Sequence, residues 1–311
     1  MASSVSGAVD GSSGLVEAVE ALVGDRVRCE VAAASLTTLA IGGSLQYLVT
    51  VESLWDLQAV LKLLRAEGQQ ARILGFGSNV LVPDVGIRGW VIRLGQSLRS
   101  VDRVEGDRFI VGGAASLMSI ARKLSGDGFS GLEFAAGIPA SLGGAVYMNA
   151  GAHGSELGER IETVSVVLPD GSFRVYERGE LPWGYRHSGI PQGAVVVAAE
   201  LKLPSGDRER IARLCNENLA HRKQTQPLAL PSAGSVFKNP SPEVPAGRLL
   251  EEVGLKGVSV GGAAISSLHA NWIVNPDKSA TASDVVSLVT LCQQRVRERM
   301  GVELEPEIRL W

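Results

Sequence analysis

The sequence predicts a fold of mixed helices and strands spread over two or three domains. Three observations point there. A strand–helix–strand unit opens the patterned part of the chain, between Gln46 and Leu74. Strand-like runs and amphipathic helices then follow as far as Trp311. At 311 residues and 45% hydrophobic content the chain can bury an ample core and is long for one domain.

The elements run as follows. Residues 1–14 are small and polar and are expected to be disordered. A short helix is expected from about Gly14 to Val23. QYLVTV (Gln46–Val51) reads as a strand and Ser53–Gly68 as a helix, with Ser53 as its cap, Leu57, Leu61 and Leu64 at helical spacing, and Gly68 as its stop. Ala71–Leu74, Trp90–Leu94 and Phe109–Gly113 read as strands, and Ser116–Gly128 as an amphipathic helix. Glu133–Gly154 is rich in Gly and Ala and nearly free of charge. Strands Val164–Pro169 and Ala194–Leu203 flank a loop carrying GYRHSG. Composition shifts near Ser205–Asp207. Helices are then expected over Glu209–Arg222, Ala246–Gly254 and about Ala282–Met300. The last has Val285, Leu288, Val289, Cys292 and Val296 on one face, and Thr281 and Asp284 at capping spacing. VELEPEIRLW closes the chain as an expected strand.

Composition excludes several functions. The 30 Lys+Arg against 33 Asp+Glu give a net charge of -3, with no basic face for a nucleic-acid backbone. Cys29, Cys215 and Cys292 are odd in number and far apart, and no His/Cys cluster has zinc spacing, so no metal is expected. No signal peptide is recognisable at the start and no apolar run approaches the ~20 residues of a membrane helix. A soluble protein of the reducing cytoplasm is expected.

Two glycine-rich segments are candidate ligand loops. Gly75-Phe76-Gly77-Ser78-Asn79 follows a strand, but Val80 stands where a Rossmann fingerprint needs its third glycine, and no Gly-Lys pair exists for a Walker loop. Alone, it reads as a strand-to-turn junction. The second segment, with Gly137-Ile138-Pro139, Gly143-Gly144 and Met148-Asn149-Ala150-Gly151, is small enough for close backbone approach to a large ligand, or for tight strand packing. Together they point to a nucleotide pocket of non-Rossmann type.

LGFGSNVLV, GLEFAAGIPASLGGAVYMNAGAHG, GYRHS, PSAGSVFKNP, GGAAISSLHANWIVN and LEPEIRLW occur here in the order found in UDP-N-acetylenolpyruvoylglucosamine reductases. The resemblance runs from about Thr37 to Trp311, and the spacing between GYRHS and PSAGSVFKNP is similar to the family's shorter form. It implies an α+β fold: a two-lobed FAD-binding module of the PCMH, or vanillyl-alcohol-oxidase, type, followed by a smaller α+β substrate-binding domain. The implied boundaries are an N-terminal extension over 1–36, the FAD module over 37–205 (lobes at about 37–100 and 101–205), and the substrate domain over 206–311. It also implies FAD as cofactor and NADPH as co-substrate. The implied reaction is reduction of UDP-N-acetylglucosamine enolpyruvate to UDP-N-acetylmuramate in peptidoglycan synthesis, by a monomer.

The family's site residues carry over by motif. Arg186 matches the substrate arginine, whose planar guanidinium suits a carboxylate gaining charge. Glu307 matches the glutamate at the same carboxylate. It must be protonated or shielded by Arg186, and on a strand it would share a face with Glu305. Ser235 matches the proton donor, with Lys238 and Asn239 as candidates to position it or to meet substrate. FAD contacts map onto Gly75, Gly77, Ser78, Asn79, Gly137, Ile138 and Gly144, with Arg222 at the cofactor phosphates and His269 near the nucleotide sugar. Singly, each of Arg186, Ser235 and Glu307 would read as an ordinary surface or turn residue. In six ordered motifs they read as a catalytic set. His153, His187 and His221 read as structural or surface residues.

Three stretches depart from the family. Ser44-Leu45-Gln46 stands where Pro-Ala-Asp is usual, so a carboxylate is lost. Ala40-Ile41-Gly42-Gly43 stands where an Arg-Ile-Gly-Gly element is usual, and Ala140 stands where a glycine is common and would take a positive φ less easily. The competing readings are another flavoenzyme on the same module, or a nucleotide-sugar-binding protein without catalysis.

Overall fold

Ser53 starts its helix as its position implies: its hydroxyl accepts the Asp56 N–H at 3.0 Å. Gly68, at φ +65°, ends the same helix. In the computed structural model, which describes residues 11–311, this helix lies in the first of three packed units. The disorder expected for residues 1–14 falls outside the described residues as far as residue 10; from Gly11 the chain is helical.

The first lobe holds α1 (Gly11–Val23), β1 (Val27–Ala32), β2 (Ser44–Val51), α2 (Leu54–Ala66), β3 (Ala71–Ile73), the short β4 (Val80–Leu81) and β5 (Ile87–Leu94). Its sheet has the order β1-β2-β5-β3, with β1 antiparallel and the other three parallel. Alternation along the strands turns Val49, Val51, Trp90 and Ile92 to one face, where Val19, Leu57, Val60 and Leu64 of the two helices cover them.

The second lobe runs through β6 (Val101–Glu105), β7 (Arg108–Gly112), α3 (Leu117–Gly126), α4 (Leu142–Tyr147), the hairpin β8 (Gly151–Ala152) and β9 (Ser155–Glu156), β10 (Ile161–Val167), β11 (Phe173–Glu177) and β12 (Val195–Lys202). Five of these strands form an antiparallel sheet, β11-β10-β12-β7-β6. Helix α5 (Arg208–Thr225), capped by Asp207, buries Cys215 in the same core. Helix α4 was not expected, because glycines at 143 and 144 weaken helix propensity. Packing overrides propensity here. A Cβ at Gly143 would come within 2.9 Å of the Val196 carbonyl on β12, so a side chain is what the site cannot take.

The C-terminal unit holds β13 (Ser232–Ser235), α6 (Ala246–Glu252), β14 (Ser259–Val260), β15 (Ala263–Ile265), β16 (Trp272–Val274), α7 (Ala282–Met300) and β17 (Arg309–Leu310). Its sheet is antiparallel, in the order β13-β16-β15-β14. The α7 stripe of Val285, Leu288, Val289, Cys292 and Val296 is buried as expected, and Thr281 with Asp284 forms the capping box. Burial pushes the Cys292 thiol up to about 12, and none of the three cysteines is bridged. The closing segment is less regular than expected. Only Arg309–Leu310 is a strand, and it pairs in parallel with β4 of the first lobe. The architecture is α+β.

Two seams fix the C-terminal unit to the first lobe. Leu39, Ile41 and Leu81 pack into its core, and the Asn275 amide donates to the carbonyls of Leu39 (3.1 Å) and Ala40 (3.4 Å). Ala40, where the family's arginine is usual, adopts φ +55°, whereas Ala140 has no positive φ and needs no glycine. At the second seam Asp84 caps α7 from across the interface, accepting from Ala282 N–H (2.7 Å), Ser283 N–H (3.0 Å) and the Ser283 hydroxyl (2.8 Å). Burial opposes ionisation of Asp84, but these bonds outweigh it and hold its carboxyl below the ordinary 3.8. A depressed folded-state value means the stabilisation is complete above pH 3.8 and is lost as pH falls through the lower value. Asp84→Ala should therefore cost about 1–2 kcal/mol at neutral pH. Denaturant midpoints of the two proteins should converge on acidification, and equal midpoints at neutral pH would remove Asp84 from the account.

Candidate active site

The three units enclose one long cleft of about 2220 Å³. A single drug-sized ligand occupies roughly 300–1,000 Å³. The cleft is large enough for two elongated ligands.

One end is built by the two glycine segments. The turn after β3 passes through Gly75, Phe76, Gly77, Ser78 and Asn79, all on the cleft wall. Each glycine is fixed by what it touches. A Cβ at Gly75 would lie 2.5 Å from Ser141 Oγ, the cap of α4, so the two segments meet there. A Cβ at Gly77 (φ +66°) would lie 2.2 Å from the Leu36 carbonyl. In the hydrogen-bond network of the described residues, the N–H groups of Phe76, Gly77 and Ser78 donate to no backbone carbonyl. Such a row of free N–H groups suits phosphate. Ile138 and Gly144 also line the cleft, Gly144 beside the same Ser141 hydroxyl, whereas Gly137 is off the wall and a Cβ there would lie 2.7 Å from the Arg222 side chain.

Arg222 closes this end. It is 8% exposed, its Nε has no partner, and burial alone lowers its pKa. A buried guanidinium without a carboxylate is costly unless an anion completes it. Beside it, His153 and His221 stack edge to face at 5.4 Å. Both are exposed, as a surface position implies, and both also line the cleft. Burial, then His221 and Arg222, lower the His153 pKa.

The other end gathers Arg186, Ser235, Asn239, His269 and Glu307. Arg186 Nε donates to Glu307 Oε1 at 2.8 Å and Nη2 donates to the Gly151 carbonyl at 3.1 Å. Its guanidinium lies 4.7 Å over the Tyr185 ring. Glu307 is fixed through its backbone: its N–H donates to the Val236 carbonyl (2.7 Å), next to Ser235, and its carbonyl accepts from Asn79 Nδ2 (3.2 Å). Burial raises the Glu307 pKa, against the opposing pull of the Arg186 charge and hydrogen bond and of Lys238. Glu305 does not share its face. It is mostly exposed and pairs with Lys238 Nζ at 2.6 Å, because the segment is not a regular strand there.

Lys238 is not on the cleft wall and reaches Glu307 only as a charge. Asn239 Oδ1 caps α6 by accepting the Ala246 N–H at 3.0 Å, which leaves its Nδ2 unpaired among the described residues. His269 Nδ1 accepts the Asn271 N–H at 3.2 Å, and burial lowers its pKa. Tyr185, Asn149 and Glu156 belong to this end although sequence reasoning gave them no role. Tyr185 had a signal, its place in GYRHS; Glu156 had none.

Residues 45–176 match the family described as FAD binding domain, and residues 226–311 the family described as UDP-N-acetylenolpyruvoylglucosamine reductase, C-terminal domain. UDP-N-acetylenolpyruvoylglucosamine reductase 1 of Bacillus thuringiensis subsp. konkukian is 41% identical over 296 residues, 94% of this chain and 97% of the relative. The chain belongs to the UDP-N-acetylenolpyruvoylglucosamine reductase family. The enzyme of that name from Heliobacterium modesticaldum is 44% identical over 275 residues, 88% of this chain and 87% of its own. The crystal structure of the reductase (MurB) from Thermus caldophilus superposes with a TM-score of 0.79 at 41% identity, covering 92% of this chain and 99% of that one. A glucose dehydrogenase, Phl p 4.0202, shares the fold of the FAD module (TM-score 0.50, 14% identity, 63% of this chain and 44% of that one).

The residues present fit FAD. The free N–H row at 76–78, the uncompensated Arg222 and the side-chain-free wall at Gly75, Gly77 and Gly144 form a site for a long ligand carrying negative charge. Gly77→Ala would force a methyl into the Leu36 carbonyl at a positive φ, which costs at least about 1–2 kcal/mol. The variant should purify with well under half the wild-type flavin per polypeptide, read from visible absorbance. Full flavin content would rule out the tight turn as a requirement for binding.

Proposed function

We infer that the protein reduces UDP-N-acetylglucosamine enolpyruvate to UDP-N-acetylmuramate, with NADPH as reductant and FAD as cofactor, in peptidoglycan precursor synthesis. The observation that carries this is the Arg186–Glu307 pair beside Ser235, at one end of a cleft whose other end suits a dinucleotide. FAD, when bound, supplies hydride taken from NADPH.

Hydride addition to the enolpyruvyl double bond drives negative charge onto the substrate carboxylate. Arg186 answers that charge. Its Nε and Nη2 are engaged within the protein, and Nη1, 3.9 Å from Glu156, is left to meet the carboxylate. Glu307 complements it. Burial raises its pKa, and in its protonated form it donates a hydrogen bond to the enolate rather than repelling it. Ser235 delivers its hydroxyl proton to the neighbouring carbon and is reprotonated from water. In support, its hydroxyl makes no hydrogen bond to another side chain among the described residues, and Gly234 before it, at φ +76°, turns the strand at that point. Asn239 Nδ2 and His269 are assigned to the nucleotide sugar, and Arg222 with the glycine turn to the cofactor phosphates. No helix among the described residues is long and apolar enough to cross a membrane. We place the protein in the cytoplasm as a monomer, the unbridged cysteines suiting a reducing compartment.

The purified protein should be yellow, and NADPH should bleach it anaerobically. Mixing the reduced protein with UDP-N-acetylglucosamine enolpyruvate should restore the flavin band rapidly. Ser235→Ala should bleach normally and reoxidise about 10²–10⁴-fold more slowly. Bleaching without substrate-driven reoxidation in the wild type would overturn the assignment in favour of another flavoenzyme.

A further inference from the structure

Arg186 sits in the left-handed region of backbone space (φ +55°), on a loop, and its aim is set by what holds it. Several of those holds trace back to one buried amide. Asn149 is 1% exposed and itself adopts φ +44°. Its Nδ2 donates twice, to Glu156 Oε2 at 2.8 Å and to the Gly184 carbonyl at 2.8 Å. Its Oδ1 accepts the Gly158 N–H at 2.9 Å.

Both acceptors of Nδ2 lead to Arg186. The second oxygen of Glu156 lies 3.9 Å from Arg186 Nη1. Gly184 closes the turn that carries Tyr185 and Arg186: its N–H donates to the His187 carbonyl at 2.8 Å and its carbonyl accepts the His187 N–H at 3.0 Å. The backbone leaving Asn149 reaches the guanidinium as well, since Gly151 accepts from Nη2 and has no room for a Cβ, which would lie 3.3 Å from Nη1. An amide that only closed the β8–β9 hairpin would need no donor aimed at Glu156, a carboxylate with a 29% exposed side chain that water could satisfy. A carboxamide is also the one group that can donate to two oxygens and accept from an N–H at this point. An aspartate of the same shape would set two carboxylates against each other.

We propose that Asn149 is the positioning residue for Arg186, holding the guanidinium in aim at the substrate carboxylate through Glu156 and the Gly184 turn. The proposal rests on the function assigned above. It places the effect in the substrate half-reaction, where Arg186 is assigned to the carboxylate. Asn149→Asp should therefore bleach with NADPH at the wild-type rate, although the buried carboxylate facing Glu156 lowers its melting temperature. It should be reoxidised by UDP-N-acetylglucosamine enolpyruvate about 100-fold more slowly, the scale of a small misplacement of a reacting group. Adding Glu156→Gln to it should recover at least about tenfold, because the new amide can donate into the carboxylate introduced at position 149. In an otherwise wild-type chain Glu156→Gln should slow reoxidation several-fold with an unchanged melting temperature, which keeps the test decisive should Asn149→Asp fail to fold. Wild-type reoxidation by Asn149→Asp, parallel slowing of both half-reactions, or an inert Glu156→Gln would each overturn the proposal. A wild-type protein that is not reoxidised by substrate would instead overturn the function on which it rests.

Discussion

The parallel pairing of β17 with β4 is the constraint from which the site is built. In energy it is small: a few backbone hydrogen bonds are worth about 0.5–1.5 kcal/mol each. In position it decides much. Arg309 N–H donates to the Asn79 carbonyl at 3.0 Å, and Asn79 Nδ2 returns a bond to the Glu307 carbonyl. The turn suited to the cofactor and the carboxyl suited to the substrate are thus set on one stretch of backbone. Glu307 in turn orients Arg186, and its N–H ties it to Val236 beside Ser235. A ligand at either end of the cleft is aligned with the other because both ends share this ladder.

The cleft also holds charge that folding alone would not favour. Arg222 is buried without a carboxylate, and Glu307 is buried deeply enough that its pKa rises despite a guanidinium at 2.8 Å. Left-handed backbone at Ala40, Asn149, His153 and Arg186 adds strain. Three of the four line or brace the cleft, where preorganised groups do their work. The fourth, Ala40, is held in place by Asn275 at the seam with the C-terminal unit.

The parts legible in the sequence were those whose cause is local. The caps at Ser53 and Thr281 and the α7 stripe follow from side chains a few residues apart, and they stand where they were expected. Strands β6 and β11 escaped because nearly all their side chains face solvent, which leaves no apolar alternation to find. Helix α4 escaped because its glycines answer to β12, some fifty residues away in the chain. In the site, Arg186 and Glu307 were recognisable from ordered motifs, but the divergence of Glu305 from Glu307 was not. It depends on the Lys238 pairing and on the lack of regular strand before Arg309. Asn149 stood within a noted motif, yet its meaning lies in two acceptors, one seven residues on and the other thirty-five.

The ladder between β4 and β17 also orders events during synthesis. Asn79 and Glu307 are 228 residues apart. At about 5–20 residues per second, a ribosome that has made the glycine turn needs on the order of 10–50 s more to supply its partner. Until then β4 is an open edge and the turn lacks its outer support, so the nascent first lobe can form its sheet but not its finished cofactor pocket. The turn gains that support only when β17 pairs with β4, so emergence of the C-terminal unit is the earliest point at which the glycine turn and the Glu307 carboxyl can be set against each other.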